Sequence, residues 1–311
     1  MNGADATSPA LRMVRPDAAR LLEAAERLVG TGSTDDRLRA RRFLDYARQT
    51  RLPLDDLWTL AGSDDRLVAS ALAIPGAGRI AMLFSTRPRS TGDVTPFGAL
   101  IRHASEAMAA RNVVLTQALV EPQENLERQA FLEAGFRELA TLCYMERAVP
   151  KPSELAEPSF PEGATAVRWS PGQRQEMLRA LEATYEDTLD CPGLCGLRQT
   201  EDILEGHLAS GRYEPGLWHV LREHDRTVGV LLFSPASTGL SIELVYFGLA
   251  AAARGRGLGR LLLQHGLRRI AGRRERKVTL AVDEANEPAL RLYRSFGFSG
   301  TSRRVAFVRP L

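Results

Sequence analysis

Two hydrophobic periodicities alternate along this chain, and the switches between them lay out its elements. Leu240, Ile242, Leu244 and Tyr246 alternate with Ser241, Glu243, Val245 and Phe247, the period of two expected of a strand with unlike faces. Directly after it, Leu258, Leu261, Leu262, Leu263, Leu267 and Ile270 fall at spacings of three and four, which predicts a helix with one buried stripe. Lys277 to Val282 then reads as a buried strand, followed by a short helix from Asn286 to Tyr293 that stops at Ser295-Phe296-Gly297-Phe298.

Working from the start, Asp17 caps an amphipathic helix that runs towards Gly30, and a second helix covers about Asp35 to Thr50. Three apolar runs, Leu57–Ala61, Leu67–Ile74 and Arg79–Phe84, are separated by turn-forming residues and read as an antiparallel meander. A helix near Phe97–Ala110, a strand Val113–Val120, a helix Glu124–Ala134 and a strand Phe136–Glu146 complete the first half. The second half opens with a strand Ala166–Trp169, helices at about Pro171–Asp187 and Thr200–Ser210, and strands Leu217–Arg222 and Thr227–Ser234. This mixture predicts an α/β fold with a mixed sheet in each half.

The order of elements in the two halves is the same, and the sequence repeats with it. Val120 to Phe136 aligns without a gap on Val282 to Phe298, ending in Gly-Phe both times. Prolines 150, 152, 158 and 161 mark an extended linker, so the expected domains are 1–148 and 164–311, joined by 149–163.

Composition narrows the field. The 311 residues include 44% hydrophobic ones, as in a globular protein, and 41 basic against 38 acidic residues give a net charge of +3, too balanced to call for nucleic acid. The first 14 residues lack the apolar core of a signal peptide and no window matches a membrane span, so the expectation is a cytoplasmic protein with no membrane partner. Cys143, Cys191 and Cys195 are few and odd in number; Cys191 and Cys195 have no second close-spaced pair, and no metal is expected. An oligomer is compatible with all of this.

Candidate chemistry sits between the central strand and its helix, at Arg254-Gly255-Arg256-Gly257-Leu258-Gly259. Glycines at a strand-to-helix turn let several backbone amides and the positive end of a helix dipole converge on one point, a seat for phosphate or pyrophosphate. Spacing excludes a Walker loop, which needs Gly-Lys-Ser/Thr, and a dinucleotide fingerprint, whose third glycine would stand at Arg260. A solvated basic turn or an RNA-touching patch is the plain alternative.

An Arg-x-x-Gly-x-Gly loop after a strand, then a strand ending near Asn286 and a helix carrying Leu292-Tyr293 before Gly297-Phe298, resembles the GCN5-related N-acetyltransferase (GNAT) family in motif order and spacing. The resemblance implies two tandem GNAT-like domains, acetyl-CoA as co-substrate and a primary amine of a small molecule or peptide as acceptor. It assigns the pyrophosphate to Arg254, Gly255, Arg256, Gly257, Leu258, Gly259 and Arg260, and the pantetheine arm to Asn286, with Phe247 and Leu249 on the neighbouring strand; the Leu249 amide would serve the thioester carbonyl. Tyr293 would be the general acid towards the thiolate. Glu243 matches in offset the general base of histone-type members, an exposed carboxylate or ion pair being the alternative.

The repeat lacks this chemistry. Ser85 to Phe97 holds one glycine, an acid and two prolines where the loop belongs, and Phe131 replaces Tyr293, so the first domain reads as degenerate. In the family the segment between the second domain's first two helices lines the acceptor site; here it carries Glu186, Asp187 and Asp190, either a solvated helix end or an attractor of a cationic amine. A direct transfer in a ternary complex is expected, Cys191 or Cys195 as acyl carrier lacking a paired His. The alternatives are a non-catalytic acetyl-CoA-binding regulator and a mycothiol-synthase-like enzyme, which also pairs a degenerate with an active domain.

Overall fold

The computed structural model describes residues 11–311, which fall into two compact units: the chain up to Glu138 together with Val305–Leu311, and Leu139–Arg304. Residues 1–10, part of the stretch expected to lack a signal sequence, lie outside the described residues.

In the first unit β1 (Arg12–Val14), α1 (Leu21–Val29), α2 (Asp36–Thr50), β2 (Leu57–Ala61), β3 (Leu67–Gly76), β4 (Ile80–Ser85), α3 (Thr91–Glu106), β5 (Leu115–Val120) and α4 (Asn125–Glu133) follow in order. The strands lie side by side as β1-β2-β3-β4-β5, antiparallel except for β4 and β5. Beyond β5 the sheet is completed by the end of the chain, Val305↔Val120 through Pro310↔Leu115. Phe307, fully buried, stacks on Phe131 with ring centroids 5.7 Å apart.

The second unit contains β6 (Arg137–Ala148) except its first two residues, then β7 (Ala164–Arg168), α5 (Arg174–Tyr185), α6 (Thr200–Ala209), β8 (Trp218–Glu223), β9 (Arg226–Pro235) and β10 (Ser241–Leu249). It continues through α7 (Leu258–Arg269), β11 (Lys277–Asp283), α8 (Glu287–Ser295) and the first half of β12 (Ser299–Pro310). Its strand order is β6-β11-β10-β9-β8-β7, with β10 and β11 parallel. The helical stripe read from the sequence is buried: Leu258, Leu262, Leu263 and Leu267 join Leu231, Phe233 and Val278 in one core, each such side chain contributing roughly 1.5–3 kcal/mol by leaving water. α7 lies close to β9 because Gly266 faces it; a Cβ there would stand 2.3 Å from Leu231 and 2.8 Å from Phe233.

This division differs from the sequence-based boundaries of 1–148 and 164–311 in two strands. Residues 139–148 belong to the second unit, paired with β11, and 305–311 belong to the first, paired with β5. Because the halves are repeats, their final strands occupy equivalent positions, and hydrophobic pattern alone does not say which sheet each completes. The proline-rich segment is also no free spacer. Val149 N–H donates to Arg276, Gly272 N–H to Pro150, and Gln264 to the Ala156 carbonyl, so it is laid along the end of α7. The basic cluster following α7 is largely tied down as well: Arg273 is bidentate to Glu214 and also grips the buried Glu275, and Arg268 holds Glu157 and the Leu155 carbonyl. No helix among the described residues is long and apolar enough to cross a membrane.

Candidate functional site

The parallel pairing of β10 and β11 covers only Ser241–Glu243 against Lys277–Thr279. Past it, a bulge between Leu244 and Tyr246 re-aims β10, the strands part, and a cleft of about 580 Å³ opens. Its sides are Leu244–Leu249 with Ala281 and Val282; Arg254, Gly255 and Gly259 close one end; Asn286, Leu292 and Tyr293 come from the α8 side and Thr184–Tyr185 and Asp187–Asp190 from the far wall. The sequence-predicted Phe247, Leu249, Arg254, Gly255, Gly259, Asn286 and Tyr293 are thus brought together, while Arg256, Gly257, Leu258, Arg260 and Glu243 stand outside the lining.

Gly255 and Gly257 adopt φ of +74° and +80°, with open space where a Cβ would stand. Their role is conformational: side chains there would be strained whatever the room. Gly257 is the N-cap of α7, which has neither a capping side chain nor an acid in its first turn. Its first amides therefore point outward unpaired, an anion seat reinforced by the helix dipole. The corresponding helix of the first unit, α3, is closed by its own residues: Asp93 accepts from the Arg89 and Ser90 amides in a capping box.

The three loop arginines are engaged with protein groups. Arg254 donates to the carbonyls of Leu249 (2.9 Å), Thr184 (3.0 Å), Glu186 (2.7 Å) and Asp187 (2.9 Å). Arg256 makes a bidentate pair with Glu223, and Arg260 bonds Ser295 Oγ at 3.0 Å while lying over the Phe296 ring. Backbone amides rather than guanidinium groups are the free donors of this loop.

Asn286 is the N-cap of α8, its Oδ1 accepting from Ala289 at 3.3 Å. Two helix turns on, Tyr293 is 6% exposed between Phe247 and Phe298, and its hydroxyl has no hydrogen-bond partner among the described residues. Burial, with smaller contributions from the charge of Asp190 and from Tyr246, pushes the phenol upward, so it stays protonated and able to donate.

Glu243 faces Thr279 of β11 and Ser234 of β9 across the strands. The residue is open to solvent, yet lost hydration raises its carboxyl above the ordinary value. Partial burial against the sheet makes it a stronger base than a free carboxylate.

The far wall contains groups that sequence reasoning did not single out. Tyr246 Oη and Thr184 Oγ1 are 2.7 Å apart, and Tyr185 and His207 pack on the Tyr246 ring. Desolvation drives Tyr246 up to about 12 and His207 down to about 4, which keeps both neutral. The wall is pinned to β11 by two aspartates: Asp283 N–H donates to Asp190 Oδ1 at 2.9 Å, and Asp283 Oδ2 accepts from Cys191 N–H at 3.1 Å. Asp283 is buried and was missed because its partner lies far away in the chain. Cys191 is buried, its thiol pushed up to about 12 by desolvation and the two neighbouring aspartates, so it is not a thiolate at neutral pH; Cys195 is exposed.

Comparison with known proteins bears on this geometry. Residues 181–298 match the model of the Acetyltransferase (GNAT) family. The mycothiol acetyltransferase of Kineococcus radiotolerans is 33% identical over 210 residues, covering 68% of this chain and 66% of that protein. That of Segniliparus rotundus is 30% identical over 181 residues, 56% of this chain and 66% of that protein. The chain thus spans just under two thirds of the length of these relatives. Among solved structures, a GCN5-related N-acetyltransferase from Sphaerobacter thermophilus superposes with a TM-score of 0.62 at 22% identity, covering 96% of this chain and 95% of that one. A tandem GNAT protein from the clavulanic acid biosynthesis pathway does so with 0.52 at 16% identity over 97% and 98%. At such identities the structural likeness speaks for the fold, here the fold of a tandem protein.

Proposed function

The chain belongs to the Acetyltransferase (GNAT) family, and from that premise we propose that the cleft of its second unit transfers an acetyl group from acetyl-CoA to the primary amine of a small molecule or peptide, by direct attack in a ternary complex. The observation that carries the reading is the uncapped start of α7, opening at one end of a cleft into which the unpartnered hydroxyl of buried Tyr293 is built.

The outward amides from Gly255 to Gly259 bind the pyrophosphate, Arg260 N–H being turned back to the Gly257 carbonyl, and Leu258 and Gly257 set the helix end that aims them. Phe247, Leu249 and Asn286 flank the pantetheine arm, and the Leu249 backbone is the candidate donor to the thioester oxygen. Arg254, Arg256 and Arg260 shape the loop and add positive potential without leaving their partners. Glu243, outside the lining but with its affinity for protons raised, takes the proton of the incoming ammonium through intervening water, so that the neutral nitrogen attacks the thioester carbon. As the C–S bond breaks, Tyr293 gives its proton to the thiolate and regains one from the amide nitrogen being formed. The first unit, with its closed helix end and Phe131 packed in the core, contributes no such chemistry.

A mycothiol-related acceptor is the second reading, favoured by relatives named mycothiol acetyltransferase. Calorimetric titration of acetyl-CoA into the wild type and Gly257→Glu tests the assignment. One site per chain, lost in a variant that melts as a folded protein, is expected; two sites would make the first unit a binder, and no binding by the wild type would overturn the proposal.

A further inference from the structure

The end of β10 divides its side chains between the two faces of the sheet. Phe247 and Leu249 lie on the face of α7 and α8: a Cβ on Gly259 would stand 3.4 Å from Leu249 and 3.6 Å from Phe247, and the Tyr293 ring lies 6.4 Å from that of Phe247. Tyr246 and Gly248 lie on the opposite face, where a Cβ on Gly248 would stand 2.8 Å from Tyr246 Oη and 3.0 Å from Thr184 of α5. Between the faces runs the edge that β11 has left. The Ala250 amide is turned towards β9, donating to Val228, so by alternation the Leu249 amide is turned the other way, into the gap. A thioester whose oxygen meets that amide, with its pantetheine on the α7 face, has its acyl carbons on the face of Tyr246 and Thr184.

We propose that Tyr246, held by Thr184, sets the length of acyl chain that the cleft accepts, stopping it at acetyl and turning longer acyl-CoAs away. The inference rests on the acetyltransferase reading above and names the residue that decides its donor. Both side chains line the cleft, and Tyr246 is fixed in place. Thr184 Oγ1 gives its one proton to the Leu181 carbonyl at 2.8 Å, so in the 2.7 Å contact with Tyr246 the phenol is the donor and Thr184 the acceptor. The Tyr246 hydroxyl is therefore spent inside the wall, and what it presents to an acyl group is bulk. Its ring is wedged between Tyr185 and His207, with centroids 5.4 Å and 5.1 Å away, and Thr184 is 3% exposed. A side chain packed and bonded on these sides does not swing aside for added methylenes without strain. Gly248 belongs to the same device: its bare Cα lets the Tyr246 hydroxyl reach the backbone next to the Leu249 amide, where any side chain would collide with it.

The test is calorimetric and needs no acceptor. Free CoA, acetyl-CoA and butyryl-CoA are titrated into the wild type, Tyr246→Leu and Tyr246→Phe, with free CoA as the reference within each protein and melting curves as the check on folding. The wild type should bind butyryl-CoA at least about tenfold more weakly than acetyl-CoA, the scale on which an apolar pocket discriminates methylenes. Tyr246→Leu leaves an apolar side chain that stops short of Gly248 and should bring the two within about twofold. Tyr246→Phe keeps the ring but loses the tie to Thr184 and should narrow the gap to about threefold; this milder change decides the matter should the leucine variant not fold. A wild type that binds both acyl-CoAs equally, or a gap unchanged in either folded variant, overturns the proposal and leaves the acetyl-CoA reading standing. Loss of all three ligands in a folded variant would make Tyr246 a prop of the cofactor seat and overturn it too. A wild type that binds none of the three brings down the acetyltransferase reading, and this inference with it.

Discussion

Arg254 donates to the carbonyl of Glu186 at 2.7 Å, and the same guanidinium takes the carbonyls of Thr184, Asp187 and Leu249. One side chain at the start of the phosphate loop therefore orders the neighbouring segment, 184–187, that helps to wall the cleft. Replacing it by Met should act on the acceptor side: KM for the amine rises about tenfold while the calorimetric affinity for acetyl-CoA stays within about threefold, and stability falls by about 2–3 kcal/mol as carbonyls lose a charged donor. A large loss of acetyl-CoA affinity with an unchanged amine KM would return Arg254 to the role of phosphate ligand.

Tyr293→Phe removes the unpartnered buried hydroxyl of α8 and leaves its packing against Phe247 and Phe298 intact. We expect kcat to drop about 10²-fold, a usual loss for a general acid, with acetyl-CoA binding unaffected. Pre-steady-state and steady-state rates should fall together, because leaving-group protonation belongs to the chemical step.

His219 and His265 meet edge to face at 4.7 Å, both 5% exposed, with Nδ1 of the first and Nε2 of the second unpaired. Desolvation, then the neighbouring imidazole, lowers His219 to about 3. A histidine depressed in the folded state binds protons more readily when unfolded, so its contribution is complete above the unfolded value of about 6.5 and is lost as pH falls from there towards 3. The unfolding free energy should decline between pH 7 and pH 5, by up to about 1.4 kcal/mol per pH unit for this group alone, with the melting temperature falling in step, and His219→Leu should flatten that slope. An identical slope in the variant would exclude His219 as the source.

Phe307→Ala should cost the first unit about 3–5 kcal/mol, since the ring is fully buried against Phe131 and the site has little freedom to collapse. Urea unfolding followed by Trp58 fluorescence in that unit measures it.

Much of this was legible before any coordinates. Leu57–Ala61 came out of the alternation with the bounds the strand has, and β10, α7 and β11 within a residue or two, because one buried face repeats its demand at every second or fourth position. The conformational need for Gly255 and Gly257 was legible too, since few other residues adopt positive φ at a helix start. What escaped was chemistry written in the backbone. The partners of Arg254 are carbonyls, which every residue carries, and so sequence suggested a phosphate instead. The Asp190–Asp283 exchange joins an acid to an amide across a long stretch of chain, with no spacing to betray it. Strand β12 carries the apolar run Val305–Val308, but it lies beyond the Gly297-Phe298 end of the sequence repeat, which gives no cue to it.

The exchange of final strands bears on how such a protein can be inherited. A cut anywhere in the proline-rich segment would leave the first fragment with β6 unattached and the outer edge of β5 bare, an invitation to aggregate, and would send 305–311 away with the other. Recombination at the evident seam therefore yields two broken pieces, and the first half cannot be shuffled away from the half with the cleft. The strand pairing makes the two repeats one indivisible folding product.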